Sequence, residues 1–222
     1  LATAAAAPPS DNSPISWLHE IKLDGYRTLA RLNDKAVQLI TRGGLDWTRR
    51  YGDLPEMFAA LQCRQAVIDG EIVVLDSQGV SSFGRLQEAL SESRPRNLLF
   101  FAFDLLYLDG WDLRGVALKD RKALLKDLLA DAPSAIQFSD HVKGLGNALF
   151  EQALEKGLEG IVSKRADSPY AGKRSSTWLK IKAPKTGDFV IAGYTASAEA
   201  GGIGAIAVAE WLGDDLVYRG KV

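Results

Sequence analysis

From Trp17 onward the chain alternates short apolar runs with turn-forming residues, a pattern of sheet strands rather than long helices. Trp17 to Lys22, Tyr26 to Leu32 and Ala36 to Thr41 predict three strands, with turn signals at Asn33-Asp34 and Arg42-Gly43-Gly44. Leu54 to Leu61 is a short helix candidate, and Ala66 to Asp76 reads as a strand closed by Asp76-Ser77-Gln78-Gly79. Ser82 to Leu90 has helical spacing. Asn97 to Leu108 is an apolar, aromatic run bounded by Asp109-Gly110, as expected of a buried central strand. Leu118 to Ala130 sets leucines at 118, 124, 125, 128 and 129 between charged residues, predicting an amphipathic helix outside the sheet. Asn147 to Lys156 predicts another, stopped at Gly157. Gly160 to Lys164 and Trp178 to Lys182 then predict two strands joined by a basic loop containing Pro169 and Gly172. The fold class is α+β, with antiparallel or mixed sheets flanked by helices.

Residues 1–14 are rich in Ala, Pro and Ser without amphipathic period, so a linker or flexible lead-in segment is expected there, cut from a longer polypeptide. The main domain is expected over 15–187. After Lys185-Thr186-Gly187 the composition changes, and 188–195, 205–211 and 216–222 predict antiparallel strands of a second domain over 188–222.

Composition adds three constraints. A chain of 222 residues, 46% hydrophobic, can bury a substantial core. Its net charge of -1 conceals a local imbalance: from Val162 to Gly187 seven Lys or Arg face one acid, Asp167. The single cysteine, Cys63, excludes an intramolecular disulfide, a cysteine-based zinc cluster and a CxxC motif, and fits a reduced intracellular setting. No apolar run approaches the roughly 20 residues that span a bilayer, and Leu1 to Ala7 lacks the basic flank of a signal peptide, so a soluble protein without membrane association is expected.

The candidate chemistry centres on Lys22-Leu23-Asp24-Gly25-Tyr26-Arg27. A lysine attacks only as the neutral amine, which neighbouring cations and desolvation favour, and Lys180 and Lys182 supply cations if they face the same pocket. Asp24 could orient Lys22, hold a metal or cap the turn. Gly25 permits a backbone path that a side chain would obstruct, and Arg27 offers a planar donor set for phosphate or ribose. Glu20, two residues before Lys22 on a strand, shares its face. Glu71 is a carboxylate in an apolar strand, suited to a structural ion pair or to a ligand. By sequence alone Phe103 belongs with Phe100 and Phe101 in the core, and Trp178 reads as core or cleft wall. Arg42, Arg49 and Arg50 are either phosphate-contacting or part of a solvated basic loop.

Five segments occur in order: Lys22-Leu23-Asp24-Gly25-Tyr26-Arg27, Asp69-Gly70-Glu71-Ile72-Val73, Phe103-Asp104-Leu105-Leu106-Tyr107-Leu108-Asp109-Gly110, Glu159-Gly160-Ile161-Val162-Ser163-Lys164, and Trp178-Leu179-Lys180-Ile181-Lys182. Together they resemble the nucleotidyltransferase motifs of ATP-dependent DNA ligases, most closely the ligase module of bacterial ligase D, from about Trp17 to the end. The resemblance implies an ATP-grasp-like nucleotidyltransferase domain followed by an OB-fold barrel. The last segment supplies only about three of that barrel's five strands.

The resemblance further implies that Lys22 takes AMP from ATP as a covalent lysyl-AMP. Glu20 would read the adenine amino group, Phe103 would stack on the base, and Glu71 would hold the ribose hydroxyls. Ile21 and Arg27 would join the nucleotide site, with Lys164, Lys180 and Lys182 on the phosphates. Glu159 and Asp24 are the implied metal carboxylates, for Mg²⁺ or Mn²⁺. Arg42 would meet nucleotide and the DNA 5′-phosphate, and Arg49 the DNA backbone; Gly43 stands where relatives commonly carry Asn. The implied activity is ATP-dependent nick sealing in bacterial double-strand-break repair by end joining. Its implied partners are nicked or broken duplex DNA, an end-binding protein, and polymerase and phosphoesterase modules of the same polypeptide. A monomer in the cytoplasm, associated with the nucleoid, is expected. Without a complete barrel, slow adenylation but retention of preformed lysyl-AMP is expected. An RNA ligase or GTP-dependent capping enzyme is a second reading, and a nicked-DNA-binding module that has lost catalysis a third.

Overall fold

The computed structural model describes residues 1–34, 36–93, 95–183, 189–197 and 202–222. Two compact units divide the chain, 1–183 and 184–222. The first contains, in order, β1 (Ala2–Ala4), β2 (Trp17–Ile21), β3 (Tyr26–Asn33), β4 (Ala36–Thr41), α1 (Leu54–Met57), β5 (Gln65–Val73), α2 (Phe83–Ala89), β6 (Leu99–Leu108), β7 (Trp111–Asp112), α3 (Leu118–Leu128), β8 (Ile136–Phe138), β9 (Val142–Lys143), α4 (Gly146–Glu155), β10 (Gly160–Arg165) and β11 (Ser175–Lys182).

One sheet runs β4-β3-β5-β6-β7, with β8 parallel to β6, and its longest pairings are antiparallel. Alternation along β3 buries Thr28, Ala30 and Leu32. Ala30 and Leu32 join Leu39, Phe58, Ile68, Ile72, Phe100 and Leu105 in the main core. α3 turns Leu118, Arg121, Lys122 and Leu125 inward, an i, i+3, i+4, i+7 stripe, with Leu125 in this core, Leu118 against Leu18 and Ala166, and Lys122 on Glu20 of β2. Arg121 is tolerated in that stripe because it meets Asp104 of β6 in a fully buried two-point pair, at 2.7 and 2.8 Å. The second sheet runs β1-β11-β10-β2-β9. Ala153 of α4 packs on it against Ile161 and Ile181.

The N-terminal segment departs from expectation. Instead of a flexible lead-in throughout, Ala2–Ala4 form a strand parallel to β11, and Ala5 continues it by donating to Lys180 O at 3.1 Å. An open sheet edge offers backbone partners to any extended segment, so the pairing leaves no mark in side-chain periodicity. The short strands β7, β8 and β9 escape sequence patterning for the same reason. The predicted domain boundary near 187 lies outside the described residues, as do Lys185, Thr186 and the start of the strand expected from Asp188.

In the second unit β12 (Val190–Ala196), β13 (Ile203–Leu212) and β14 (Asp215–Lys221) form an antiparallel sheet in that order. It matches the three strands expected for part of an OB-fold.

A candidate nucleotide site around Lys22

Strand register assembles one wall of the site. Leu18, Lys164 and Trp178 are aligned across β2, β10 and β11, as are Glu20, Val162 and Lys180. Lys22 N donates to Gly160 O at 2.9 Å, and Gly160 is paired with Lys182. Because strand side chains alternate, Glu20, Lys22, Lys164, Trp178, Lys180 and Lys182 share one face. Ile21, Ile161 and Ile181 point the other way. The turn after Lys22 reaches β5 so closely that a Cβ on Gly25 would lie 2.1 Å from Ile72 O. Steric room rather than backbone torsion is therefore what demands glycine there. Gly160 meets both demands, with φ of 134° and a Cβ position 2.1 Å from Ile181 O.

The opposite wall comes from β3, β5 and β6, where Arg27 pairs in register with Glu71. Between the walls lies a cleft of about 270 Å³, close to the lower limit of about 300 Å³ for small-molecule sites. Its lining includes Glu20, Ile21, Lys22, Arg27, Arg42, Glu71, Phe103, Lys164, Lys180 and Lys182. All ten residues expected at the nucleotide are thus brought together. Asp24, Arg49 and Glu159 are not among its lining residues.

Glu159 stands beside the cleft as an anionic bridge: Oε2 accepts from Lys22 Nζ, and Oε1 pairs with Lys182 Nζ at 2.8 Å. Burial opposes its charge, but the two ammonium groups prevail and hold its pKa below the ordinary glutamate value. Asp24 is used differently. Its backbone N–H donates to Ser81 Oγ at 2.9 Å, and its carboxylate accepts from Phe83 N at the start of α2, at 3.4 Å. The carboxylate thus reaches α2, whose N-cap is Ser82, rather than its own turn. Among the described residues no three His, Cys, Asp or Glu side chains gather into a metal cage.

Glu71 behaves in the opposite way to Glu159. Its carboxyl makes no hydrogen bond or ion pair among the described residues. Burial dominates over nearby Lys22 and Arg27 and pushes its pKa up to about 8. Arg27 is pinned instead by buried Asp69, through Nε at 3.0 Å and Nη2 at 2.6 Å, while Tyr170 donates to the same carboxylate at 2.7 Å. Despite its burial, this clamp raises the guanidinium pKa further. Phe103 is half-buried rather than part of the core. It meets Trp178 edge-on at 6.0 Å and carries the Lys164 ammonium 4.2 Å from its ring centre. Arg42 is exposed at the cleft. Arg49 is exposed on a short 3₁₀ turn, Thr48–Tyr51.

Glu20 is only 3% exposed yet reaches the cleft. Oε1 accepts from Lys122 Nζ at 2.8 Å, and Oε2 from Lys164 Nζ at 2.8 Å and Ser139 Oγ at 3.2 Å. Burial raises the cost of its charge, but the two lysines outweigh it and lower its pKa. Lys164 has its own pKa lowered, chiefly by burial, against the pull of Glu20.

The family model for the ATP-dependent DNA ligase domain matches residues 9–182. The chain belongs to this family. Among its relatives is the multifunctional non-homologous end joining protein LigD of Pseudomonas aeruginosa, 40% identical over 227 residues that make up 100% of this chain and 26% of that protein. The LigD end-joining repair protein of Mycobacterium tuberculosis is 38% identical over 93% of this chain and 27% of its own length. The chain therefore spans about a quarter of the length of these curated relatives. A solved structure of mycobacterial DNA ligase D complexed with ATP and MES matches with a TM-score of 0.73 and 37% identity, covering 100% of this chain and 70% of that one.

In this ligase domain, sequence reasoning overlooked Lys122, Ser139 and the clamp of Asp69 and Tyr170. Lys122 had a signal: it and Arg121 occupy the apolar stripe of α3 between Leu118 and Leu125, where an unpaired charge would be costly. Ser139 and Tyr170 lie in irregular segments, and no periodicity points to them.

Proposed function

We propose that this domain forms a lysyl-AMP on Lys22 and passes the AMP to the 5′-phosphate of nicked DNA. The observation that carries this reading is the convergence of Lys22 with a base-sized aromatic, an unpartnered carboxyl and several cations in one cleft. In the first step Lys22 loses a proton and its nitrogen bonds to the α-phosphorus of ATP. The bond from that phosphorus to the bridging oxygen breaks, and pyrophosphate leaves. Lys180 and Lys182 offset the negative charge that builds on the phosphates. In the second step a DNA 5′-phosphate oxygen displaces Lys22 from phosphorus. In the third the adjacent 3′-hydroxyl displaces AMP and closes the strand.

Glu71 suits the ribose, because a protonated carboxyl both donates to and accepts from hydroxyl groups. Glu20 accepts from the adenine amino group, and Phe103 supplies a stacking face. Arg27 and Ile21 complete the pocket, and Arg42 extends it toward the DNA phosphate. Arg49 is assigned to the DNA backbone on its exposure and charge alone. Mg²⁺ or Mn²⁺ would be held by Glu159 with phosphate oxygens and water, supplying further charge neutralisation. Asp24 is the second candidate, with one carboxylate oxygen accepting from Phe83 N. The relatives' names support a role in bacterial end joining, and we assign broken duplex DNA, an end-binding protein and polymerase or phosphoesterase modules of the same polypeptide as its partners. That role places the enzyme in the cytoplasm at the nucleoid, and we assign a monomer. Among the described residues no helix is long and apolar enough to cross a membrane.

Incubation with α-labelled ATP followed by denaturation tests the reading. Wild type should retain label and gain the mass of one AMP, whereas Lys22→Ala should lose both label and nick sealing. Label transfer from GTP alone would favour the capping alternative.

A further inference from the structure

Lys122 lies behind the cleft, not in its lining, yet every donor on its ammonium is engaged. Nζ is 2.8 Å from Glu20 Oε1 and 2.8 Å from Ser139 O, and it sits 4.5 Å from the centre of the Phe138 ring. Lys164 is similarly occupied by Glu20 Oε2 and the Phe103 and Trp178 rings, whose centres lie 4.2 and 4.3 Å away. With side-chain exposures of 1% and 2%, neither lysine projects a free donor into the cleft.

A carboxylate has about four acceptor sites. Three on Glu20 are filled: one on Oε1 by Lys122, and two on Oε2 by Lys164 and Ser139. The remaining site is on Oε1, the oxygen that Lys122 alone fixes. Without Lys122, the carboxylate is anchored at a single oxygen and can rotate about its terminal bond. Two ammonium groups also hold Glu20 in the ionised, acceptor-only form. An acceptor surrounded by spent donors matches a purine bearing a 6-amino group and mismatches one bearing a 6-oxo group.

We propose that Lys122 is a positioning residue for nucleotide choice: by fixing the plane of the Glu20 carboxylate, it leaves one acceptor for an exocyclic 6-amino group and none of the donors a 6-oxo group would need. The inference rests on the assignment of Glu20 to the base. It extends that assignment to a side chain that never touches the nucleotide.

The test is equilibrium binding of ATP, purine riboside triphosphate (6-H) and inosine triphosphate (6-oxo), measured by calorimetry in a Lys22→Met background that prevents covalent transfer. With Lys122 present, ATP should bind about ten- to hundredfold more tightly than the 6-H analogue, the scale of one hydrogen bond to a charged group. Lys122→Met should cut that preference to within about threefold by weakening ATP while leaving the 6-H analogue unchanged. Lys122→Arg should restore most of it. The fold should survive Lys122→Met, because Glu20 and Lys164 remain as a one-to-one ion pair. Should it not, Lys122→Gln keeps the volume without the charge and is expected to lose the same preference. A uniform loss for all three nucleotides, with the ratio intact, would overturn the proposal and leave Lys122 a purely structural residue. Equal binding of ATP and the 6-H analogue with Lys122 intact would overturn the Glu20 assignment itself, and the proposal with it.

Discussion

Two glutamates a short distance from Lys22 hold opposite protonation states at neutral pH, and their partners explain why. Glu159 is bridged by two ammonium groups and stays charged, whereas half-buried Glu71 has no hydrogen-bond or ion-pair partner among the described residues, and desolvation pushes its pKa up to about 8. The folded chain therefore binds a proton at Glu71 that the unfolded chain, with a carboxyl near the ordinary glutamate value of 4.5, releases. The associated stability is present below the unfolded pKa and is lost as pH rises through the folded one. Glu71→Gln removes this dependence. Its Tm should be close to wild type near pH 4.5, move above it by a few degrees toward pH 8, and run parallel beyond. A Tm difference that stays constant between pH 5 and 9 in thermal melts would contradict this account.

At the scale of elements, α3 is the piece whose attachment is chemically unusual. Its inward stripe contains two charges, one spent on Asp104 and one on Glu20. Arg121→Met would leave Asp104 buried with no guanidinium and should cost about 3–5 kcal/mol in urea denaturation. Pairing it with Asp104→Leu removes the stranded charge and should recover most of that loss, because a matched apolar pair avoids desolvating an ion. If the double variant is no more stable than the single, the two-point pair is not what holds α3 to β6. The helix itself was legible from its leucines and charges. The spacing between Leu118 and Leu125 also set Arg121 and Lys122 on the inward face, but their partners on β6 and β2 were not legible, because no local pattern names a residue on another element.

For the whole molecule, every residue lining the cleft belongs to the unit formed by residues 1–183. Residues 1–183 alone should therefore fold and bind ATP with an affinity within about threefold of the full chain, as read by calorimetry. A loss of binding well beyond that would mean that the second unit contributes to the nucleotide site directly. The three-stranded second sheet leaves Ile191, Tyr194, Ile203 and Trp211 exposed, between 58% and 70%. Such a surface matches a sheet that belongs to a larger barrel.

The sequence by itself determined the strands around Lys22, Glu71 and Phe103, the shared face of Glu20 and Lys22 and that of Lys180 and Lys182, since a strand's period of two is a local property of the backbone; the register through β10 brought the two pairs together. It also determined the family, because the motif order survives along the chain. Only the tertiary structure decided that Ala2–Ala4 would close a sheet edge, that Asp24 would accept from Phe83 N at the start of α2, that Glu159 would bridge Lys22 and Lys182, and that Lys122 would stand behind Glu20. Each of those outcomes involves a partner between 59 and 176 residues away. Hydrogen bonds and ion pairs at such separations are set by how the sheets and α3 pack, which no local pattern of apolar and polar residues encodes.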